Sequence, residues 1–177
     1  QPTNVALAAK NLSWFDEQGV KRLKDVSLEL KAGEIVGIAG VSGNGQSELL
    51  NALSGITPLS EGEIHFNGEV ITSKNKKNAS QMRDLKMAHV PEDRHKMGLV
   101  TGFEAYEAAI LGYHNSEAYN GKILLNRKAM LDECNERMQK WDVRPADPFL
   151  KTANFSGGNQ QKIVIAREVE QNPDVLL

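Results

Sequence analysis

The chain has 177 residues, 40% of them hydrophobic and 25% charged, a balance that fits one globular domain, or one plus a small subdomain, with length enough to bury a core. Its net charge of −2, with acids and bases interspersed, leaves no electrostatic footprint for nucleic acid, which is not expected as a partner. No signal peptide is visible at the N-terminus and the longest apolar stretch, residues 35–41, is far too short to span a bilayer, so any membrane role is expected to run through a partner.

Val26, Leu28 and Leu30 alternate with polar residues, which predicts a strand. Ala32-Gly33 then turns the chain into a continuous apolar run, Ile35 to Ala39, read as a second strand buried on both faces. Gln46 to Ser54 places Leu49, Leu50 and Leu53 on one helical stripe, with Gly55 at the expected stop. Ile64 and Phe66 alternate ahead of Asn67-Gly68, a strong hairpin signal, and Val70-Ile71 resume the strand. The polar run Ser73 to Ser80 predicts a solvated loop leading into residues 81–86, and Met87 to Val90 a short strand reaching Pro91.

Beyond Pro91, Phe103, Tyr106 and Ile110 share a helical face, and Arg127 to Trp141 predicts a longer amphipathic helix, with breaks at Gly121 and at Pro145-Ala146-Asp147-Pro148. Cys134, the single cysteine, falls with Leu131, Met138 and Trp141 on one face of that helix, which reads as a buried core thiol. Residues 98–149 are thus expected to be mostly helical, inserted between two segments of an α/β core. Pro173 to Leu177 reads as the start of another buried strand.

Two segments carry chemistry. Gly40-Val41-Ser42-Gly43-Asn44-Gly45-Gln46-Ser47 joins the apolar run to the leucine-faced helix, the context of a phosphate-cradling loop whose backbone N–H groups and helix dipole attract an anion. The position that needs lysine is Gln46, so the side-chain cation that would reach the β- and γ-phosphates is missing. The bland reading is a glycine-rich turn that lets a strand meet a helix closely. A dinucleotide loop is excluded because Gly43-Asn44-Gly45 lacks the third glycine at its offset.

The second segment is Phe155-Ser156-Gly157-Gly158-Asn159-Gln160-Gln161-Lys162, a small-residue turn opening a helix that continues through Ile163, Ala166 and Val169. Its bland reading is a serine N-cap. Glycine is costly in a first helical turn, so a pair of them suggests that something approaches the backbone closely. His65, His89, His95 and His114 show no metal-ligand spacing among themselves or with Cys134, and no Gly-x-Ser-x-Gly elbow is present.

Together these segments resemble the nucleotide-binding domain of ATP-binding-cassette (ABC) transporters. More narrowly, Ser156 to Lys162 and Pro91-Glu92-Asp93-Arg94-His95-Lys96 look like the second cassette of tandem ATPases in simple-sugar and nucleoside importers. The resemblance spans nearly the whole chain and implies an α/β, P-loop NTPase-like core with an antiparallel β subdomain and an inserted helical subdomain. It implies one incomplete domain over residues 1–177, with core segments 1–97 and 150–177 and a helical subdomain at 98–149, truncated before the acids that would follow the strand begun at Pro173.

It further implies ATP and Mg2+ as ligands, held weakly by Gly40, Ser42, Gly43, Asn44, Gly45, Gln46 and Ser47, with Ser47 at the Mg2+ position. Ser156, Gly157 and Gly158 would act in trans on an ATP bound to a partner cassette, with Phe155 where many relatives have leucine. Glu92 stands at the family's Q-loop glutamine; the alternative is an exposed acid in a proline turn, paired with Arg94. Trp14 or Phe15 could stack on adenine, but Leu12 and Trp14 also fit an ordinary strand, so neither is assigned. The implied partners are a first cassette on the same polypeptide, transmembrane permease subunits and, indirectly, a solute-binding protein, with a cytoplasmic location on the inner face of the membrane. The isolated chain is expected to be inactive as an ATPase. The alternative is a structural or regulatory docking module; an autonomous kinase or GTPase is disfavoured by Gln46.

Overall fold

In the computed structural model, residues 4–119 and 125–177 are described, and they fall into two units, one running to His89 and including Pro173–Leu177, the other Val90–Asn172. The predicted break at Gly121 lies outside the described residues.

The first unit is built on strand β1 (Val5–Phe15), which pairs antiparallel with β2 (Lys21–Lys31) on one side and β3 (Glu61–Phe66) on the other. With β4 (Glu69–Thr72) the sheet order is β2-β1-β3-β4. Because β1 is interior, Leu7, Ala9 and Leu12 are buried, where each leucine contributes about 1.5–3 kcal/mol through removal from water. The β3–β4 turn is Asn67-Gly68 with both φ positive (47° and 81°), the geometry that matches the right-handed strand twist.

Helix α1 (Gln46–Leu53) lays Leu49, Ala52 and Leu53 into the same core, and the chain leaves it through Gly55 at φ +76°. Asn78 caps α2 (Ala79–Asp84) in a reciprocal box with Gln81, so residues 79–80 are helical instead of loop. β5 (Met87–Ala88) pairs in parallel with β6 (Val175–Leu176), which realises both short strands expected around Met87 and after Pro173. Val175 is buried and Leu176 is half exposed.

The expected second strand, Ile35 to Ala39, is not formed. Residues 34–41 are irregular; Ile35 is 99% exposed, and Val36 and Ile38 are nearly half exposed. A doubly buried strand needs ladder partners on its edges, and among the described residues the parallel sheet consists of β5 and β6 alone. Beside this run lies an apolar cavity of about 610 Å³, lined by Ala6, Leu28, Leu30, Ile35, Leu50 and Leu176 among others.

The second unit has its own core, in which α3 (Ala105–Ala108), α4 (Arg127–Lys140) and α5 (Gly157–Val169) bury Tyr106, Ile110, Met130, Cys134, Met138, Ile163 and Val164. Cys134 and Met138 are buried, with Leu131 and Trp141 packed partly against the cluster, as the helical stripe predicts. Residues 98–149 hold less helix than expected: α3 is only four residues, residues 109–119 run as turns, and Phe103 stays exposed while Tyr106 and Ile110 turn inward. A buried ion pair ties the unit together. Arg167 Nε donates to Glu168 Oε1 at 2.9 Å, Tyr113 Oη donates to Glu168 Oε2 at 2.6 Å, and Arg167 Nη1 reaches the carbonyl oxygens of Gly98 and Ala108. Among the described residues, no helix is long and apolar enough to cross a membrane.

Candidate functional site

The loop before α1 has the backbone a phosphate cradle requires. Gly43 and Gly45 adopt φ of +87° and +99°, conformations natural only to glycine, and Asn44 N–H bonds the Val41 carbonyl at 3.1 Å. Gly45 is buried against β2, where an added Cβ would sit 3.3 Å from the Arg22 carbonyl oxygen. As N-cap of α1 it brings no side chain to cap the helix. Gly40, Ser42, Gly43, Asn44 and Ser47 are all exposed.

Gln46 folds back onto this loop. Its Nε2 donates to the Val41 carbonyl at 3.4 Å and lies 1.9 Å from where a Gly40 Cβ would be, so the neutral carboxamide packs on the Gly40–Val41 backbone and brings no positive charge. The loop and β2 together enclose a cavity of about 580 Å³, and Lys21, Arg22 and Lys24 contribute to its wall. Lys21 is tied to Glu61 at 3.3 Å and sits over the Phe15 ring; Arg22 is bound to Asp16 at 2.7 Å. That hydrogen bond, after one from the Val20 amide, holds the Asp16 carboxyl below its ordinary range.

A glycine-rich nest, a helix N-terminus and a basic wall fit a polyphosphate in chemistry and size. For Mg2+ the chain offers the Ser47 hydroxyl, and among the described residues no group of three or more His, Cys, Asp or Glu side chains could hold a metal. Trp14 packs partly against the core and Phe15 is 39% exposed beneath Lys21.

In the second unit, Ser156 is the N-cap of α5 and its Oγ accepts from Asn159 N at 3.4 Å and Asn159 Nδ2 at 3.0 Å. Asn159 Oδ1 in turn accepts the Arg144 amide at 2.9 Å, so the cap is anchored from the loop after α4. The two glycines differ. An added Cβ on Gly158 would meet nothing within 4 Å, whereas one on Gly157 would lie 2.7 Å from Arg94 Nη2. Nothing in this unit therefore demands glycine at 158 on grounds of space, which leaves room for a group from outside. Lys162 Nζ, one turn on, bonds Asp142, and Arg144 and then Lys162 hold the Asp142 carboxyl below its usual range.

Glu92 is exposed, as expected for an acid in a proline turn. Its neighbour Asp93 caps the π-helical turn Arg94–Gly98 by accepting from the amides of His95 and Lys96 at 3.0 and 3.1 Å. Arg94 Nε donates to Gln160 Oε1 at 3.1 Å. That contact joins positions 66 residues apart, and no spacing rule in the sequence points to it. The basic wall contributed by β2 was likewise hidden, because its residues stand some twenty positions before the loop they face.

The family described as ABC transporter matches residues 23–177 of the chain. The guanosine import ATP-binding protein NupO of Bacillus subtilis is 38% identical over 177 residues, all of this chain and 34% of that protein. The nucleoside import ATP-binding protein NupA of Lactococcus lactis is 37% identical over the same length, again 34% of that protein, and the xylose import ATP-binding protein XylG of Burkholderia ambifaria is 37% identical, with 98% of this chain and 33% of that protein covered. The chain thus spans about a third of the length of these curated relatives. Among solved structures, the dimeric MJ0796 bacterial cassette superposes with a TM-score of 0.73 at 25% identity, over 96% of this chain and 72% of that one. The ADP conformation of the MJ1267 cassette gives 0.74 at 20% identity, over 98% and 68%. The fold is the α/β one of these cassettes.

Proposed function

Because the chain belongs to the ABC transporter family, we propose that it is the second, degenerate cassette of a tandem ATP-binding protein that drives import of a nucleoside or simple sugar. Whole-chain similarity to nucleoside, glucose and xylose import ATP-binding proteins supports the substrate class. The other partners would be permease subunits and, through them, a solute-binding protein, with the cassette on the inner face of the membrane.

One contrast carries the reading: the turn at Ser156–Gly158 is capped, anchored and open at Gly158, while the phosphate loop ends in a neutral Gln46 folded onto its own backbone. ATP supplies a phosphoanhydride whose cleavage drives transport. Ser156 and the Gly158 amide bind and orient the γ-phosphate of an ATP seated on the partner cassette, acting where charge develops. Gly40, Ser42, Gly43, Asn44, Gly45, Gln46 and Ser47 hold a second nucleotide weakly, since loss of a charge-assisted contact costs about 1.5–3 kcal/mol. Glu92, at the place of the family's Q-loop glutamine, adds negative charge and weakens this chain's own site further.

The test is Ser156→Arg in the full-length protein with its permease. Under this reading the guanidinium blocks the turn and both transport and ATP hydrolysis are lost. Near-normal activity of both would favour the second reading, a docking module indifferent to nucleotide.

A further inference from the structure

Resting on the reading of Ser156–Gly158 as a signature turn, we infer that Arg94 is its positioning residue, the strut that fixes the turn from the Pro91–Gly98 segment. The base of the strut is rigid. Asp93 caps the turn that carries Arg94, Met97 N–H bonds the Asp93 carbonyl at 3.1 Å, Leu99 N–H bonds the Arg94 carbonyl at 2.7 Å, and Gly98 at the turn's end is held through its carbonyl by buried Arg167 of α5. Its tip is held as well. Arg94 Nε bonds Gln160 Oε1, and Gln160, itself buried, passes the constraint on by donating from Nε2 to the Thr152 carbonyl at 2.9 Å; Thr152 Oγ1 donates to the Val100 carbonyl at 2.8 Å.

Between these ends the guanidinium reaches Gly157, with Nη2 2.7 Å from where an added Cβ would stand. The glycine at 157 is therefore explained from inside the unit: it makes room for Arg94. The glycine at 158 is not, since its surroundings are open. The two glycines divide the labour, one seating the strut and the other facing out. Arg94 acts through the turn and is not itself a catalytic residue. Its position two residues after Glu92 links the Q-loop segment mechanically to the signature turn.

The experiment uses the full-length protein with its permease and compares Arg94→Ala, Arg94→Lys, Gly157→Ala and the double variant Arg94→Ala/Gly157→Ala, with Ser156→Arg alongside. A turn displaced by a fraction of an ångström costs on the order of tenfold or more in kcat. Arg94→Ala is expected to lower kcat for ATP hydrolysis by about that factor with KM and melting temperature little changed, because the ATP is seated elsewhere. Arg94→Lys stays at the alanine level, since an ammonium keeps the charge but cannot set one nitrogen beside Gly157 while another bonds Gln160. Gly157→Ala alone is also slow, and adding it to Arg94→Ala costs nothing further, the non-additivity expected of two groups sharing one space.

Full recovery by lysine, or strictly additive losses, would overturn the inference. If Ser156→Arg abolishes hydrolysis while Arg94→Ala leaves kcat unchanged, the trans reading stands and the strut is refuted. If Ser156→Arg is silent, the trans reading falls and the strut is judged by amide hydrogen exchange: faster exchange at Asn159 and Gln160 in Arg94→Ala upholds it, and unchanged protection refutes it.

Discussion

Under the proposed function, Gln46 is the one side chain that changes what an otherwise competent backbone does. The glycines on either side keep the left-handed conformations that aim amides at an anion, so the loop's geometry does not depend on the missing cation. Gln46→Lys in the full-length protein should restore that cation and tighten a second ATP-binding event by roughly ten- to a hundredfold, read by calorimetry. An unchanged isotherm would mean that the deficit lies elsewhere, with Glu92 the first suspect.

Cys134 makes a second prediction at this scale. Burial pushes its thiol up from 9.0 to about 12, the nearby Arg137 charge opposing only in part. In the folded protein the thiol keeps its proton between these values while the unfolded chain has lost it, so folding stability falls as pH rises from about 9 toward 12. Iodoacetamide at pH 8 should leave Cys134 unmodified until denaturant is added, which peptide mass spectrometry checks. The sequence made this burial legible, because Leu131, Cys134, Met138 and Trp141 recur at helical spacing and that spacing alone decides which face turns inward.

At the level of elements, the features set by local chemistry were readable and those set by distant partners were not. Asn67-Gly68 specified its hairpin because two adjacent residues must both accept positive φ. The helices opening at Gln46, Arg127 and Gly157 followed from apolar periodicity and, for the last, from the Ser156 side-chain cap; the Asn126 cap of α4 emerged only in the structure. Ile35 to Ala39 misled because an apolar run says what a segment would bury, and only neighbouring strands can supply its ladder. The Ala79 start of α2 was missed because Asn78 read as a loop residue until paired with Gln81 in a capping box.

The Arg167–Glu168 pair, 2% and 0% exposed at the side chain, was equally silent in sequence. It holds α5 to the Gly98 and Ala108 carbonyls and to Tyr113. Glu168→Ala leaves a buried guanidinium uncompensated and should destabilise the protein by about 3–5 kcal/mol, measured as a fall in the urea midpoint. Tyr113→Phe removes only the hydroxyl donor and should cost less, about 1.5–3 kcal/mol. A Glu168→Ala variant as stable as the parent would mean that water or a rearranged partner already satisfies Arg167.

For the whole molecule, the proposed reading places two halves of an ATP-handling apparatus on one chain in unequal condition. Family and fold were both legible, because the turn from Ser156 to Lys162 and the loop from Gly40 to Ser47 carry their chemistry in contiguous residues. The proposed division of labour was legible only as a missing lysine; the packing of Gln46 on Gly40, the contact of Arg94 with Gln160 and the open surroundings of Gly158 required three dimensions. The most direct measurement is vanadate trapping of a photoactivatable azido-ATP on the full-length protein during turnover, with the label located by peptide mass spectrometry. The account predicts trapped label on peptides outside this chain's first fifty residues, and its loss in Ser156→Arg. Hydrolysis-dependent label on residues 4–50, undiminished by Ser156→Arg, would contradict it.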